Sequence, residues 1–248
     1  MGEGLYFKEE KLHSFNELIY KFNVKEFKSP YRSTIPLLAL YKAQPYLHFG
    51  LASDTEAMNA KYTFEFETHV TKGKGVPSCT DLMIEYSSTC IAVEAKWTEP
   101  PYSTVRQWLG ESSNKKQVLE GWLEMISTFS GIILHYDTVA GLPYQLIHRV
   151  ASACSLKKAN TSVVYLCFNL SDTKKEYYHQ NLKLFSQILG NNINLYLGCF
   201  EILKLERQNI LEANWRNGSR NLSEHVLKGL IDNSLMSISQ LTFEKINC

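Results

Sequence analysis

The chain has 248 residues, of which 44% are hydrophobic and 21% charged, with a formal net charge of +1. That balance is ordinary for a globular fold, and no run approaches the ~20 apolar residues needed to cross a bilayer. Met1-Gly2-Glu3-Gly4 lacks the basic-then-apolar plan of a secretory leader, so a cytosolic protein with no membrane association is expected.

The six cysteines (79, 90, 154, 167, 199 and 248) include no C-x-x-C pair, which argues against a zinc site or a disulfide framework. Cys90, Cys154, Cys167 and Cys199 sit among apolar neighbours, where a free thiol packs as a small hydrophobe. Charge is segregated along the chain. Residues 51–139 carry seven Lys/Arg against twelve Asp/Glu, whereas residues 140–220 carry ten against five. An acidic block beside a basic one suits a metal site next to a phosphate-contacting surface, and equally suits two solvated faces.

In chain order, Leu12, Phe15, Leu18, Ile19 and Phe22 have helical spacing, which predicts a helix within 5–28. Ser29-Pro30 ends it. Ser33-Thr34 before Ile35-Pro36 starts a short helix running to about Lys42, and Ser53 or Asp54 caps another over 54–60. Tyr62 to Val70 alternates aromatic and polar residues, the signature of a strand. After the turn at 71–75, Asp81–Tyr86 and Cys90–Trp97 read as two strands joined by Ser87-Ser88-Thr89. Helices are expected at about 114–129, 142–155, 173–189 and 222–236, with strands at Val163–Phe168 and Leu195–Leu203. The order predicts one α/β domain over 1–248 with a mixed β-sheet flanked by helices.

Chemistry concentrates in the hairpin made by Asp81–Tyr86 and Cys90–Trp97. If Ser87-Ser88 is a two-residue loop, Asp81 lies directly opposite Glu94, with Cβ atoms ~4.5–5.5 Å apart. Lys96 points to the same face, because side chains alternate along a strand. Two adjacent carboxylates raise each other's pKa unless a cation lies between them. Mg²⁺ favours such hard oxygen ligands, with Mn²⁺ as a substitute. With a fixed ammonium beside it, the set suits phosphodiester hydrolysis.

Asp81, followed after twelve residues by Glu94-Ala95-Lys96, resembles the D-(X)n-(D/E)-X-K signature of the PD-(D/E)XK nucleases, the restriction-endonuclease-like family. The resemblance implies a nuclease core over about 51–170, with N-terminal helical and C-terminal α/β elaborations, acting on DNA. It assigns Asp81, Glu94 and the Ala95 carbonyl to the metal and Lys96 to catalysis. Thr80 stands where the name-giving proline would be. The resemblance also implies a further acid from the helix before the first strand, Glu56, with Glu65 and Glu67 as rivals. It implies a glutamine from a following helix as well, Gln145 in Tyr144-Gln145 or else Gln117. A homodimer is compatible with it, and so is a binding protein that keeps the fold without catalysis.

The rest is less specific. The seven histidines show no metal-binding spacing, and no Walker-type or dinucleotide glycine loop is present. Trp97, Trp108, Trp122 and Trp215 could stack on bases or fill the core. Arg149, Lys157, Lys158, Lys174, Lys175, Arg216 and Arg220 are candidate phosphate contacts or ordinary surface charges.

Overall fold

The computed structural model describes residues 4–29, 31–190, 192–205, 222–232, 234–239 and 241–247, together with residues 213 and 216. Strands β1 (Gly4–Phe7) and β2 (Glu10–Leu12) precede α1 (Phe15–Lys21), a 3₁₀ turn (Val24–Phe27) and α2 (Thr34–Ala43). Next come α3 (Asp54–Met58), β3 (Lys61–Thr68), β4 (Ser78–Glu85) and β5 (Thr89–Lys96). They are followed by α4 (Val105–Leu109), α5 (Ser113–Ser130), α6 (Tyr136–Val139), α7 (Tyr144–Ser155), β6 (Asn160–Phe168) and α8 (Asp172–Leu189). The last described elements are β7 (Asn194–Phe200), β8 (Ile202–Leu205), α9 (Leu222–Ile231), β9 (Met236–Ile238) and β10 (Thr242–Ile246).

Eight strands form one mixed sheet in the order β10-β7-β6-β5-β4-β3-β1-β2, with β8 and β9 paired separately. β3, β4 and β5 are successive antiparallel neighbours, while β6 lies parallel to β5 and β7 parallel to β6. The protein is therefore mixed α/β, with a mixed sheet flanked by helices, as the sequence leads one to expect.

Alternation along β5 sorts its side chains between two cores. Ile91, Val93 and Ala95 join the residues of α2 and α9, whereas Cys90 and Ala92 join those of α5, α7 and α8. A strand buried on both faces reads as a continuous apolar run, which β5 does until Glu94. The β4–β5 hairpin turns through Ser87-Ser88, closed by the Tyr86 N–H donating to the Thr89 carbonyl at 2.8 Å. Its ladder runs from Glu85↔Cys90 to Leu82↔Val93, the register expected from a two-residue loop.

The helix expected within 5–28 is confined to α1. Residues 4–12 form a β-hairpin because β1 finds a parallel partner in β3, with the Gly4 N–H on the Ala60 carbonyl (3.0 Å) and the Lys8 N–H on the Phe64 carbonyl (2.8 Å). Local spacing carries no sign of such a pairing. The expected strand at 195–203 breaks after Phe200, where the Asn169 side chain accepts the Ile202 N–H at 2.7 Å and the chain restarts as β8. The helix expected to reach residue 236 ends at Ile231, because Met236 enters β9. The short helices α4 and α6 and the strand β10 come in addition. Of the cysteines in the core expectation, Cys90, Cys154 and Cys167 are buried, Cys199 is half-buried, and none of these four is bridged.

α5 lies close against the chain that follows β3. A Cβ on Gly121 would meet Val70 Cγ2 at 2.5 Å and the Lys72 backbone nitrogen at 2.8 Å. Gly121→Ala is therefore expected to cost about 1–3 kcal/mol through overpacking, despite the better helix propensity of alanine. Urea denaturation measures this directly.

Candidate active site

The alternation of β3 and β4 breaks at one level. Their ladder pairs Phe64 with Leu82 and Phe66 with Thr80 but passes over Glu65 and Asp81 between them. Glu65 has φ +52, a left-handed conformation uncommon for any residue but glycine. Phe64 and Leu82 pack in the α2 core, whereas Phe66 packs against the α7 core. Thr80 likewise turns to α7, where its hydroxyl shares the Ser152 hydroxyl (2.9 Å) with Thr68 (2.6 Å). Both strands thus roll over at Glu65 and Asp81. Backbone strain of this kind, ~1–3 kcal/mol, persists where the surroundings enforce it and concentrates at functional sites.

The roll also ends the β4–β5 ladder at Leu82↔Val93, so Asp81 does not pair backbone to backbone with Glu94. Instead its carboxylate Oδ2 accepts the Ala95 N–H at 2.7 Å. The Asp81 side chain fills the wedge between the diverging strands.

Glu94 and Lys96 continue the face set by Cys90 and Ala92, and each is only 2% exposed. Glu94 Oε1 accepts from Lys96 Nζ at 2.6 Å and from Gln145 Nε2 at 2.5 Å, while Oε2 accepts from Arg149 Nε. Gln145 and Arg149 lie one turn apart on α7, the spacing that puts two side chains on one helix face. Arg149 also donates to Ser78 Oγ at 2.7 Å, and His148 Nδ1 meets the same oxygen at 2.7 Å. The Lys96 ammonium lies 4.6 Å from the centre of the Tyr102 ring, within cation–π range.

Charge is unevenly balanced across these groups. Burial alone would raise the Glu94 carboxyl, but Arg149 and Lys96 outweigh it and hold the group below the usual carboxylate range. Burial would likewise lower the Lys96 ammonium, yet Glu94 and Asp81 lift it above the ordinary lysine value. Asp81 has no such partner. Burial, reinforced by the Glu94 charge, pushes its carboxyl from 3.8 up to about 8, although it keeps some surface open to the cavity. Glu65 is raised in the same way, chiefly by burial, and among the described residues no hydrogen bond or ion pair holds its carboxylate. Burial and the Arg149 and Lys96 charges keep His148 neutral, its pKa well below the histidine value.

Asp81, Glu94, Ala95, Lys96, Gln145 and Arg149 line one cavity of about 450 Å³, together with Glu65, Glu99, Tyr102 and residues of the N-terminal hairpin and α1. Asp81, Glu94, Ala95, Lys96 and Gln145 are thus brought together as the sequence predicts. Glu56 is not. Its carboxylate closes a capping box on α3, accepting the Ser53 N–H at 3.0 Å and the Ser53 hydroxyl at 2.9 Å. Its charge bears on Tyr86, at the far end of β4 from Asp81. Glu67 pairs with Lys8 at 2.6 Å, and Gln117 is exposed on α5. Of Glu56, Glu65 and Glu67, it is Glu65 that lines the cavity.

Arg149, read from sequence as a phosphate contact or an ordinary surface charge, is instead buried on Glu94. Its signal was present in the four-residue spacing from Gln145. Lys158 donates to the Tyr86 carbonyl (2.9 Å) and Lys174 to the Glu99 carbonyl (3.0 Å), while Lys157 and Lys175 are exposed. Trp97 and Trp122 are buried, and Trp108 stacks on Tyr144 with ring centres 3.6 Å apart. Trp215, Arg220 and Cys248 lie outside the described residues.

Among the described residues, no three His, Cys, Asp or Glu side chains converge as a metal cage made of protein alone, and no helix is long and apolar enough to cross a membrane. What the fold defines is a mixed α/β protein with a buried acid–lysine–arginine cluster at the foot of a polar cavity. The chain belongs to the family described as "Domain of unknown function (DUF6946)", whose match covers residues 11–203. No curated protein and no solved structure matches it.

Two outcomes follow from the electrostatics. Because the Asp81 proton is held more tightly in the folded than in the unfolded chain, stability falls as pH rises from about 4 to about 8 and is lowest above that window. In EDTA, Asp81→Asn should flatten this slope and stabilise the protein by about 1–3 kcal/mol at pH 8, discounted for the open side of the group. Thermal melts across that pH range read the difference. Arg149→Met leaves Glu94 with one cation fewer and Ser78 without its donor. Breaking a buried pair in this way costs about 3–5 kcal/mol, measurable by urea denaturation.

Proposed function

We propose that the protein is a metal-dependent nuclease that hydrolyses DNA phosphodiester bonds, built on a core resembling that of the PD-(D/E)XK family. The observation that carries this reading is the meeting of Asp81, Glu94 and Lys96 on diverging neighbour strands at the foot of one polar cavity. Element order supports it. α3, the antiparallel β3-β4-β5 unit, α5 with α7, and β6 parallel to β5 follow the helix, three strands, helix and strand of that family's core.

The donor set suits a divalent ion. Asp81 and Glu65 are acids short of positive charge, and Mg²⁺ commonly takes only one or two carboxylates, keeping water for its other positions. Asp81 would hold the ion, with Glu65 replacing Glu56 as the further acid, and the Glu94 lone pairs and Ala95 carbonyl completing the protein's share. A bound Mg²⁺ or Mn²⁺ would act as Lewis acid on the phosphodiester and ease deprotonation of the attacking water. Lys96 keeps its proton because two acids raise its pKa. Its ammonium, pinned between Glu94 and the Tyr102 ring, orients the water and meets the charge that builds on phosphorus-bound oxygen. Gln145 and Arg149 fix the Glu94 carboxylate so that Lys96 stays aimed. The setting proposed is cytosolic, as composition suggests.

A second reading is a DNA-binding protein of the same fold without catalysis. It draws support from Glu94, whose two oxygens are already committed to Lys96, Gln145 and Arg149.

Gel assays on linear and circular DNA separate the two. Cleavage should require Mg²⁺ or Mn²⁺, stop in EDTA, and fall by at least about 10²-fold in Lys96→Ala. Asp81→Ala should lose cleavage without loss of fold. Cleavage that survives in both variants would defeat the assignment, and binding without any cleavage would favour the second reading.

A further inference from the structure

We propose that the cavity takes a single DNA strand, unpaired or presented by its end, rather than intact duplex; this deepens the nuclease reading and rests on it. The groups that would act on the phosphodiester are recessed at the floor of a half-open cavity. Glu94 and Lys96 are each 2% exposed, and Gln145 and Arg149 little more. The cavity, about 450 Å³ in volume, is deep enough to take a small ligand. A duplex phosphate is flanked by paired backbone on both sides, with one charge per ~1.7 Å of axis, and reaches only groups at a surface. An unpaired strand is narrower and can be drawn in one nucleotide at a time.

The wall beside the floor is part of the fold. Phe7 at the end of β1, Lys8 in the turn after it, Lys21 at the end of α1, and Phe22 and Asn23 beyond it line one side of the cavity. β1 is tied to β3 by a parallel ladder from Gly4↔Lys61 to Phe7↔Phe64. Leu18 and Ile19 of α1 are fully buried in the α2 core.

The opening is furnished for a strand. Tyr102 is 44% exposed, and its ring covers the Lys96 ammonium. It follows Pro100-Pro101, which stiffen the segment by fixing φ. The exposed ring offers a base a surface to stack on beside the cavity. Lys8, Lys21 and Arg32 line the cavity with side chains 45%, 36% and 49% exposed, and each pairs with a carboxylate, of Glu67, Glu10 and Glu26 respectively. Exposed pairs of this kind contribute little to stability, so phosphates can replace the carboxylates readily. Aromatic stacking beside a cationic track is the recurring means of holding single strands.

The test uses the full-length protein and one labelled oligonucleotide, offered as a single strand and as a blunt duplex. Binding is read by fluorescence anisotropy in EDTA, and cleavage on gels with Mg²⁺ or Mn²⁺. The single strand should be bound and cut at least about tenfold better. Tyr102→Ala should weaken single-strand binding by about tenfold, equivalent to ~1.4 kcal/mol, with circular dichroism unchanged and with little effect on the duplex. Lys96-dependent cleavage of duplex at an equal or higher rate would overturn the inference and leave the nuclease reading intact. Preferential single-strand binding with no cleavage in either metal would uphold the substrate class and remove the nuclease reading. Failure to bind either form would remove both.

Discussion

The Glu94 carboxylate is the point at which sheet, helix and cavity are joined. Burying an unpaired carboxylate costs several kcal/mol, so a strand that brings one to its end within the core must bring cations with it. Lys96 comes from the same strand, and Gln145 and Arg149 from α7. Their convergence fixes the distance and rotation of α7 against β5. It also explains a polar face on an otherwise apolar helix, since Gln145 and Arg149 are buried while their neighbours Leu146, Ile147 and Val150 fill the core. The Ser152 hydroxyl, further along α7, receives Thr68 and Thr80 from β3 and β4. One helix thereby holds three strands in register around the acids.

Against that saturated carboxylate stands Asp81, whose position depends on the two strands parting. Had β4 continued its ladder with β5, the Ala95 N–H would have had a backbone acceptor and Asp81 no wedge to fill. The left-handed turn of Glu65 is the local cause, because it rolls β3 and carries β4 with it. The same turn sends the Glu65 carboxylate to the cavity. The pair of under-neutralised acids beside a neutralised one therefore arises from a single break in strand alternation. An arrangement like this sacrifices some stability, as buried acids without a cation partner do.

Much of this was legible in residue order. The period-two pattern from Tyr62, the apolar run Ile91-Ala92-Val93 and the Ser87-Ser88 connection were enough to place three strands and the hairpin register, because each depends on contacts between near neighbours in sequence. The meeting of Glu94 and Lys96 followed from strand alternation, whereas Asp81 joins them because the ladder ends at Leu82↔Val93. Gln145 could be named only through the family resemblance, since its local pattern does not set it apart from Gln117. Glu56 was misplaced for an equally local reason. Ser53-x-x-Glu56 is a capping box, and a carboxylate that serves its own helix start has no reach left for a distant site.

What the sequence determined by itself was a mixed α/β chain with two acids and a lysine at one end of a hairpin, since alternation and turn length act over a few residues. What only the tertiary structure decided was how those charges are balanced and what can approach them. Arg149 on Glu94 and the β1 hairpin beside the cavity rest on partners fifty or more residues away, and the roll of β3 at Glu65 on which of two cores Phe64 and Phe66 enter. Pairings of that range depend on which faces are left to be buried once the local elements have formed, and no window of sequence records them.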